Sequence, residues 1–302
     1  MSATITGEQV MSLRNQTGAG VMDCKNALKE SAGDLAKAVE FLRKKGLAGL
    51  AKRADRLMKE GIVTVKVSPD AQTLSMVEIN CETDFVAKNP EVRALAEELS
   101  ALMITDASLA NPADNAAAKE KLQALAIKCG ENMAIRRGTV CRAPAGTIVN
   151  FYIHSDSKKA AYAELAFDGD LNAAKSELMV FARELAMQSV AMHPKWLRRE
   201  DVPADLIAKE REIYRAKMEK DETDAKALAA ETGKVYKPKS PEGVEKMLDG
   251  RVNKFYQEAC LLEQVSIRET KLSVAQVIKN HSDKLKGNIL VKKFECYIVG
   301  VE

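Results

Sequence analysis

Glu78-Ile79-Asn80-Cys81-Glu82-Thr83-Asp84-Phe85-Val86-Ala87-Lys88 is the stretch around which the chain is organised. It opens as a strand, because Met76, Val77 and Ile79 supply apolar and β-branched side chains. It then turns polar and carries one large aromatic, Phe85. Directly afterwards Asn89-Pro90-Glu91 provides a helix start: an Asn N-cap, Pro at the first helical position and an acid in the first turn. Residues 83–88 therefore read as a short loop between a strand end and a helix start, the place where scaffolds display functional groups. Two readings compete. Either Phe85 folds back into the core while Asp84 caps a turn, or the loop presents Phe85 to a partner; pattern alone favours the first.

Working outward, residues 61–104 align without a gap on residues 147–190. Ile62, Val63, Val65 and Val67 fall on Ile148, Val149, Phe151 and Ile153, both strand-like. The turn Ser68-Pro69-Asp70 falls on His154-Ser155-Asp156, Asp84 on Asp170, and Glu98-Leu99 on Glu184-Leu185. Each copy reads as a hairpin, a loop and an amphipathic helix. One hairpin with one helix buries its apolar face poorly, so the two copies are expected to pack together. The copies diverge at the loop, where Thr83-Asp84-Phe85-Val86 becomes Gly169-Asp170-Leu171-Asn172. A scaffold kept while its displayed tip changes argues that the first tip is not needed merely to make the fold.

Elsewhere the pattern is mostly helical. Residues 5–46 read as a three-helix module: Thr6-Gly7-Glu8-Gln9 is a capping box, Thr17 to Gly20 a tight turn, and Asp34 a cap for a third helix ending at Gly46. Gly18-x-Gly20 has no preceding strand and no third glycine, so it reads as a turn and not as a phosphate loop. Residues 47–60 read as a basic helical connector. Residues 116–129 predict a helix and 133–140 a strand. After Trp196 a long charged helix is expected through Lys220, continuing from 224 to 232 after a break; a second, opened by Ser240-Pro241-Glu242, makes an antiparallel pair with it. A helix from Ser273 to His281 and a strand from Asn288 to Gly300, with Phe294, Cys296 and Ile298 on one face, close the chain.

Composition narrows the function. The 302 residues carry a formal net charge of +3 and are 29% charged, so no global field calls for nucleic acid. Only 5% of residues are aromatic, which argues against stacking platforms for single strands. Six cysteines occur without a Cys-x-x-Cys pair, against both a zinc site and a disulfide framework. The N-terminus has no signal core, and no apolar run reaches membrane-spanning length; a cytoplasmic protein is expected. His154, His193 and His281 have no metal-ligand or triad spacing, and no Walker motif, dinucleotide fingerprint or nucleophile elbow occurs. Acidic pairs such as Asp168 and Asp170 lie in a repeat turn. The expectation is a binding protein with no cofactor, no metal and no active site.

The string from Glu78 to Lys88 resembles one of two signature motifs of the bacterial elongation factor Ts family, nucleotide-exchange factors of the translational GTPase EF-Tu. The second is Leu13-Arg14-Asn15-Gln16-Thr17-Gly18-Ala19-Gly20-Val21-Met22-Asp23-Cys24-Lys25-Asn26-Ala27-Leu28. The resemblance continues through Gly130-Glu131-Asn132-Met133 with Arg136-Arg137 and covers essentially the whole chain. It departs at Gln264-Val265-Ser266, where the family often has Gln-Pro-Phe, and is loose over the helical pair and tail.

The resemblance implies an α+β protein in five parts. These are a UBA-like three-helix module with basic linker (1–54), a core subdomain holding the first repeat (55–140), a second core subdomain (141–197), a protruding helical hairpin of dimerisation type (198–265), and a helix and strand returning to the core (266–302). It implies that Asp84 and Phe85 are the tip intruding on EF-Tu near its Mg²⁺ and phosphate site, with Phe85 wedged between helices, Asp84 adding polar contacts, and Thr83 and Val86 shaping the tip. Arg14, Val21 and Met22 would grip another helix of the same EF-Tu domain. The second repeat would reach another EF-Tu domain, and the helix around 274–278 the first again. The implied partner is EF-Tu, with no direct nucleotide binding, no nucleic acid and no membrane, and a homodimer or EF-Tu2·EF-Ts2 assembly stays open. The competing class is an RNA- or ribosome-associated binding protein using the basic connector 44–59, which a steep salt dependence would reveal.

Overall fold

The computed structural model describes residues 5–69, 72–106, 109 and 111–301; Asp70 of the expected hairpin turn lies outside them. Three helices come first: α1 (Gly7–Thr17), α2 (Val21–Glu30) and α3 (Leu35–Ala51). Thr6 and Gln9 form the expected capping box, with Gln9 N donating to Thr6 Oγ1 at 3.2 Å and Thr6 N to Gln9 Oε1 at 3.0 Å. Gly18, at φ 69°, closes α1 in the left-handed conformation that glycine adopts without strain. Asp34 caps α3 by accepting from Lys37 N. Val10, Leu13, Cys24, Ala27, Leu28, Ala38 and Leu42 make one small core. The expected stop at Gly46 is wrong: α3 continues to Ala51 and takes up the start of the predicted connector.

A three-stranded sheet follows, built from β1 (Glu60–Val67), β2 (Thr73–Cys81) and β3 (Met133–Arg142), antiparallel in the order β1-β2-β3. Its helices are α4 (Asp84–Ala87), α5 (Pro90–Thr105) and α6 (Ala116–Cys129). β2 is central and buried from Leu74 to Cys81, which is why its sequence is apolar on both parities with polar Ser75, Glu78 and Asn80 interposed. Val77, Ile79 and Cys81 face Val92, Leu95, Ala96, Leu99 and Met103 of α5 in one core with Leu122 of α6. Ser75 Oγ donates to Ser100 O at 2.6 Å and Arg137 Nε to Glu78 Oε2 at 2.7 Å, which satisfies part of this buried polar set. The register skips between Glu78, opposite Arg137, and Ile79, opposite Ile135, so Arg136 is a bulge residue.

The second sheet contains β4 (Thr147–Ile153), β5 (Lys159–Phe167) and β6 (Ile289–Ile298), in the order β4-β5-β6. The helices here are α7 (Leu171–Met192), α8 (Ala204–Thr232), α9 (Pro241–Ala259) and α10 (Val274–Leu285). β5, α7, α10 and β6 share a core that includes Leu165, Leu178, Phe181, Leu185, Val277 and Val291. The break expected in α8 is absent. Thr223 donates its hydroxyl back to Glu219 O at 2.9 Å, so it is satisfied within the helix, which ends at Gly233. Arg215 pairs with Glu245, and Arg211 with Glu245 and Asp249, so α8 and α9 run antiparallel. The face expected of β6 is half-buried; the buried residues are Ile289, Val291 and Tyr297, on the other parity.

By its contacts the chain divides into two compact units. One comprises Met1–Pro144, Ile153–Ala160 and Tyr297–Glu302, the other Ala145–Tyr152 and Ala161–Cys296. Among the described residues no helix is long and apolar enough to cross a membrane.

Candidate functional site

The segment after β2 is a helical turn where a loop was expected. Thr83, in extended backbone at φ −124°, caps α4, and its Oγ1 accepts Val86 N at 3.4 Å. Asn89 caps α5 through Glu91 N at 2.9 Å, and Pro90 begins that helix. A four-residue turn has one inner side. Ala87 is buried and Val86 packs against the first core, which leaves Phe85 82% exposed. The reading in which Phe85 returns to the core therefore fails, and so does the one in which Asp84 is the cap. Asp84 bonds Lys88 Nζ through Oδ2 at 2.6 Å. That hydrogen bond, with the charges of Lys88 and Lys158, holds its carboxyl below the usual carboxylate range.

The tip is tied to the turn between α6 and β3 by two carboxylates working in opposite directions. Glu131 Oε2 accepts Glu82 N at 3.1 Å and Thr83 N at 3.0 Å, and its Oε1 accepts the Thr83 hydroxyl at 2.5 Å. In return Glu82 Oε1 accepts Asn132 N at 2.8 Å, and its Oε2 pairs with Arg56 at 3.1 Å. The Asn132 N–H, helped by Arg56, holds the Glu82 carboxyl below its ordinary value. Asn132 also donates its side-chain amide to Arg53 O. No local pattern marks Glu131 and Asn132 as partners of the tip; in the sequence they stand out only within the stretch Gly130 to Met133 that carries the family resemblance. Beneath the tip Cys81 is inert: burial, with the charges of Glu131 and Glu60, pushes its thiol up to about 12.

The second copy of the repeat resolves the same position differently. Asp170 itself caps α7, with Oδ1 accepting Asn172 N at 3.0 Å and Ala173 N at 3.1 Å. The helix then runs unbroken, and Leu171, the counterpart of Phe85, packs against the second core.

Arg14 lies exposed in the last turn of α1, and its carbonyl accepts Gly18 N at 2.7 Å. Val21 and Met22 begin α2 and are 44% and 66% exposed, while Cys24, Ala27 and Leu28 point inward. The basic residues at the end of α3 and beyond are partly neutralised: Lys44 pairs with Glu40, Lys45 with Asp23, and Arg56 with Glu82. Among the described residues no three His, Cys, Asp or Glu side chains are placed to hold a metal ion. The arrangement offers an exposed aromatic on a braced turn and a second apolar pair on a helix start, which suits it to holding another protein.

A sequence model of the family described as Elongation factor TS matches residues 82–301, which takes in the tip but not Arg14, Val21 or Met22. Full-length relatives cover both. The protein named Elongation factor Ts of Symbiobacterium thermophilum is 40% identical over 303 residues, spanning 99% of this chain and 93% of its own. That of Nitratidesulfovibrio vulgaris is 37% identical over 98% of this chain and 96% of its own. That of Chlorobaculum tepidum is 37% identical over 98% and 99%.

Proposed function

The chain belongs to the elongation factor Ts family, exchange factors for EF-Tu that are not enzymes, and on that premise we propose that α4 is the element that drives exchange. A factor that speeds nucleotide release without chemistry must hold the nucleotide-free GTPase more tightly than the loaded one. Linkage then requires that factor and nucleotide weaken each other by the same factor. In this reading Thr83, Asp84, Phe85 and Val86 enter EF-Tu beside its Mg²⁺ and phosphate site. Phe85 supplies the anchor by moving from water into an apolar cleft, a transfer that contributes about 1.5–3 kcal/mol. Asp84 adds polar contacts, and displacement of the elements that order Mg²⁺ opens the nucleotide site. Arg14, Val21 and Met22 grip a second helix of the same domain.

The exposure of Phe85 carries this reading, because an aromatic kept in water on a braced turn contributes nothing to the free fold. Stopped-flow release of a fluorescent GDP analogue from EF-Tu tests it. The chain is expected to accelerate release strongly, and Phe85→Ala to abolish most of that effect. Equal acceleration by the variant would remove the tip from the mechanism.

Finer features belong to the same proposal. The module of α1 to α3 is UBA-like, the two hairpin-plus-helix copies form the core subdomains, and the working divisions are 1–54, 55–140, 141–197, 198–265 and 266–302. The α8–α9 pair is a helical hairpin of dimerisation type where a second copy would dock, in a homodimer or an EF-Tu2·EF-Ts2 assembly. The place of work is the cytoplasm, with EF-Tu.

A further inference from the structure

We propose that Glu131 is a positioning residue for exchange, one that sets the orientation of Phe85 from the far side of the tip without itself touching the GTPase. The inference rests on the reading of α4 given above. A helix of four residues cannot hold itself together, because nucleating one turn fixes several dihedrals for a single hydrogen bond. In the second repeat the problem does not arise, since Asp170 opens the continuous α7 and the first turn is carried by the turns behind it. In the first repeat Lys88 and Asn89 separate α4 from α5, so the turn needs another support. Glu131 provides it from a different part of the chain.

The geometry shows how. The Glu131 carboxylate takes up the two backbone N–H groups that precede α4, at 3.1 and 3.0 Å. It also receives the Thr83 hydroxyl proton at 2.5 Å. With that proton committed to Glu131, the remaining lone pairs of Thr83 Oγ1 face the helix and accept Val86 N. One carboxylate thus fixes the approach of the chain, the rotamer of the cap and, through the cap, the first turn. Hydrogen bonds to a charged acceptor are the stronger kind. The reciprocal bond from Asn132 N to Glu82 prevents the two segments from sliding past each other. Phe85 projects from this turn, so its direction is set before any partner arrives, and the ordering cost is not charged to binding.

The test is a double-mutant cycle on exchange efficiency with full-length protein: wild type, Glu131→Ala, Phe85→Ala and both together, each checked by thermal melting. Glu131→Ala is expected to lower exchange roughly tenfold, the loss of about one strong hydrogen bond's worth of ordering. In the Phe85→Ala background it is expected to change nothing further, because a positioning residue has nothing left to position. Glu131→Gln, which keeps the shape and one acceptor oxygen, is expected to fall between wild type and Glu131→Ala, and it supplies the same comparison if the alanine variant does not fold. Full activity of both Glu131 variants, or losses that multiply with Phe85→Ala, would overturn the proposal. If Phe85→Ala alone keeps full activity, the reading of the tip fails, which is a different result.

Discussion

Phe85 and Leu171 hold the same place in the repeat and meet opposite environments, so the same substitution should leave opposite marks. Phe85 stands 82% exposed, and truncating it removes almost no contact from the free protein. Phe85→Ala is expected to change stability by less than about 0.5 kcal/mol while weakening the complex with EF-Tu by roughly 2–4 kcal/mol. Leu171 packs against the second core. Leu171→Ala is expected to cost about 1–3 kcal/mol of stability, less than a fully buried leucine would, and to leave exchange within about twofold of wild type. Urea denaturation and GDP release, measured on both variants, check the crossing pattern. A stability loss at Phe85, or an exchange loss at Leu171 equal to that at Phe85, would contradict the specialisation of the first tip.

At the scale of elements, what could be read from the sequence was what local chemistry decides. Thr6, Asp34, Ser240 and Ser273 all cap the helices they were expected to open, because a cap is a bond between neighbours in the chain. β2, α5, α6 and β3 were recognisable for the same reason, through apolar period and turn residues. The misses have distant causes. Gly46 reads locally as a helix end, yet it sits within α3 against Ile127 of α6, a neighbour the local sequence does not contain. The tip reads as loop because four residues carry no period, and its distant supports, the Glu131 carboxylate and the Asn132 N–H that Glu82 accepts, lie about fifty residues away along the chain. The brace between Glu82 and Asn132 has a pH signature. A carboxylate whose pKa is lowered on folding stabilises the fold above its unfolded value, near 4.3. That contribution is lost as pH falls through the lower folded value. The Asn132 amide is therefore expected to stay protected across the neutral and mildly acidic range and to open only as pH falls below the ordinary glutamate value. Amide exchange read by NMR, with the Glu82 carboxyl titrated alongside, checks it. A Glu82 midpoint at or above its ordinary value would contradict the brace.

For the whole molecule, the question is whether the two proposed grips act as one. α1 and α2 carry Arg14, Val21 and Met22, and α4 carries Phe85; both lie in the same compact unit. The module of α1 to α3 has a small core of its own, and a module of that size is marginal alone. It rests on α6 through α3, where a Cβ at Gly46 would come within 2.4 Å of Ile127 Cγ2, and Arg43 pairs with Glu120 at 3.1 Å. Isoleucine is stiff at that position, so the helices themselves must part. Gly49, one turn further along α3, has only the end of the Arg53 side chain within 4 Å, at 3.8 Å. The pair of variants Gly46→Ala and Gly49→Ala is therefore a matched experiment. Both raise helix propensity by about 1 kcal/mol, and only the first displaces α3 from α6. If the grips must meet EF-Tu in a fixed relation, moving one spoils the advantage of holding the other. Gly46→Ala is then expected to lower exchange roughly three- to tenfold at unchanged helix content, and Gly49→Ala to match wild type. Equal exchange by all three proteins would mean that the N-terminal module and the tip bind independently.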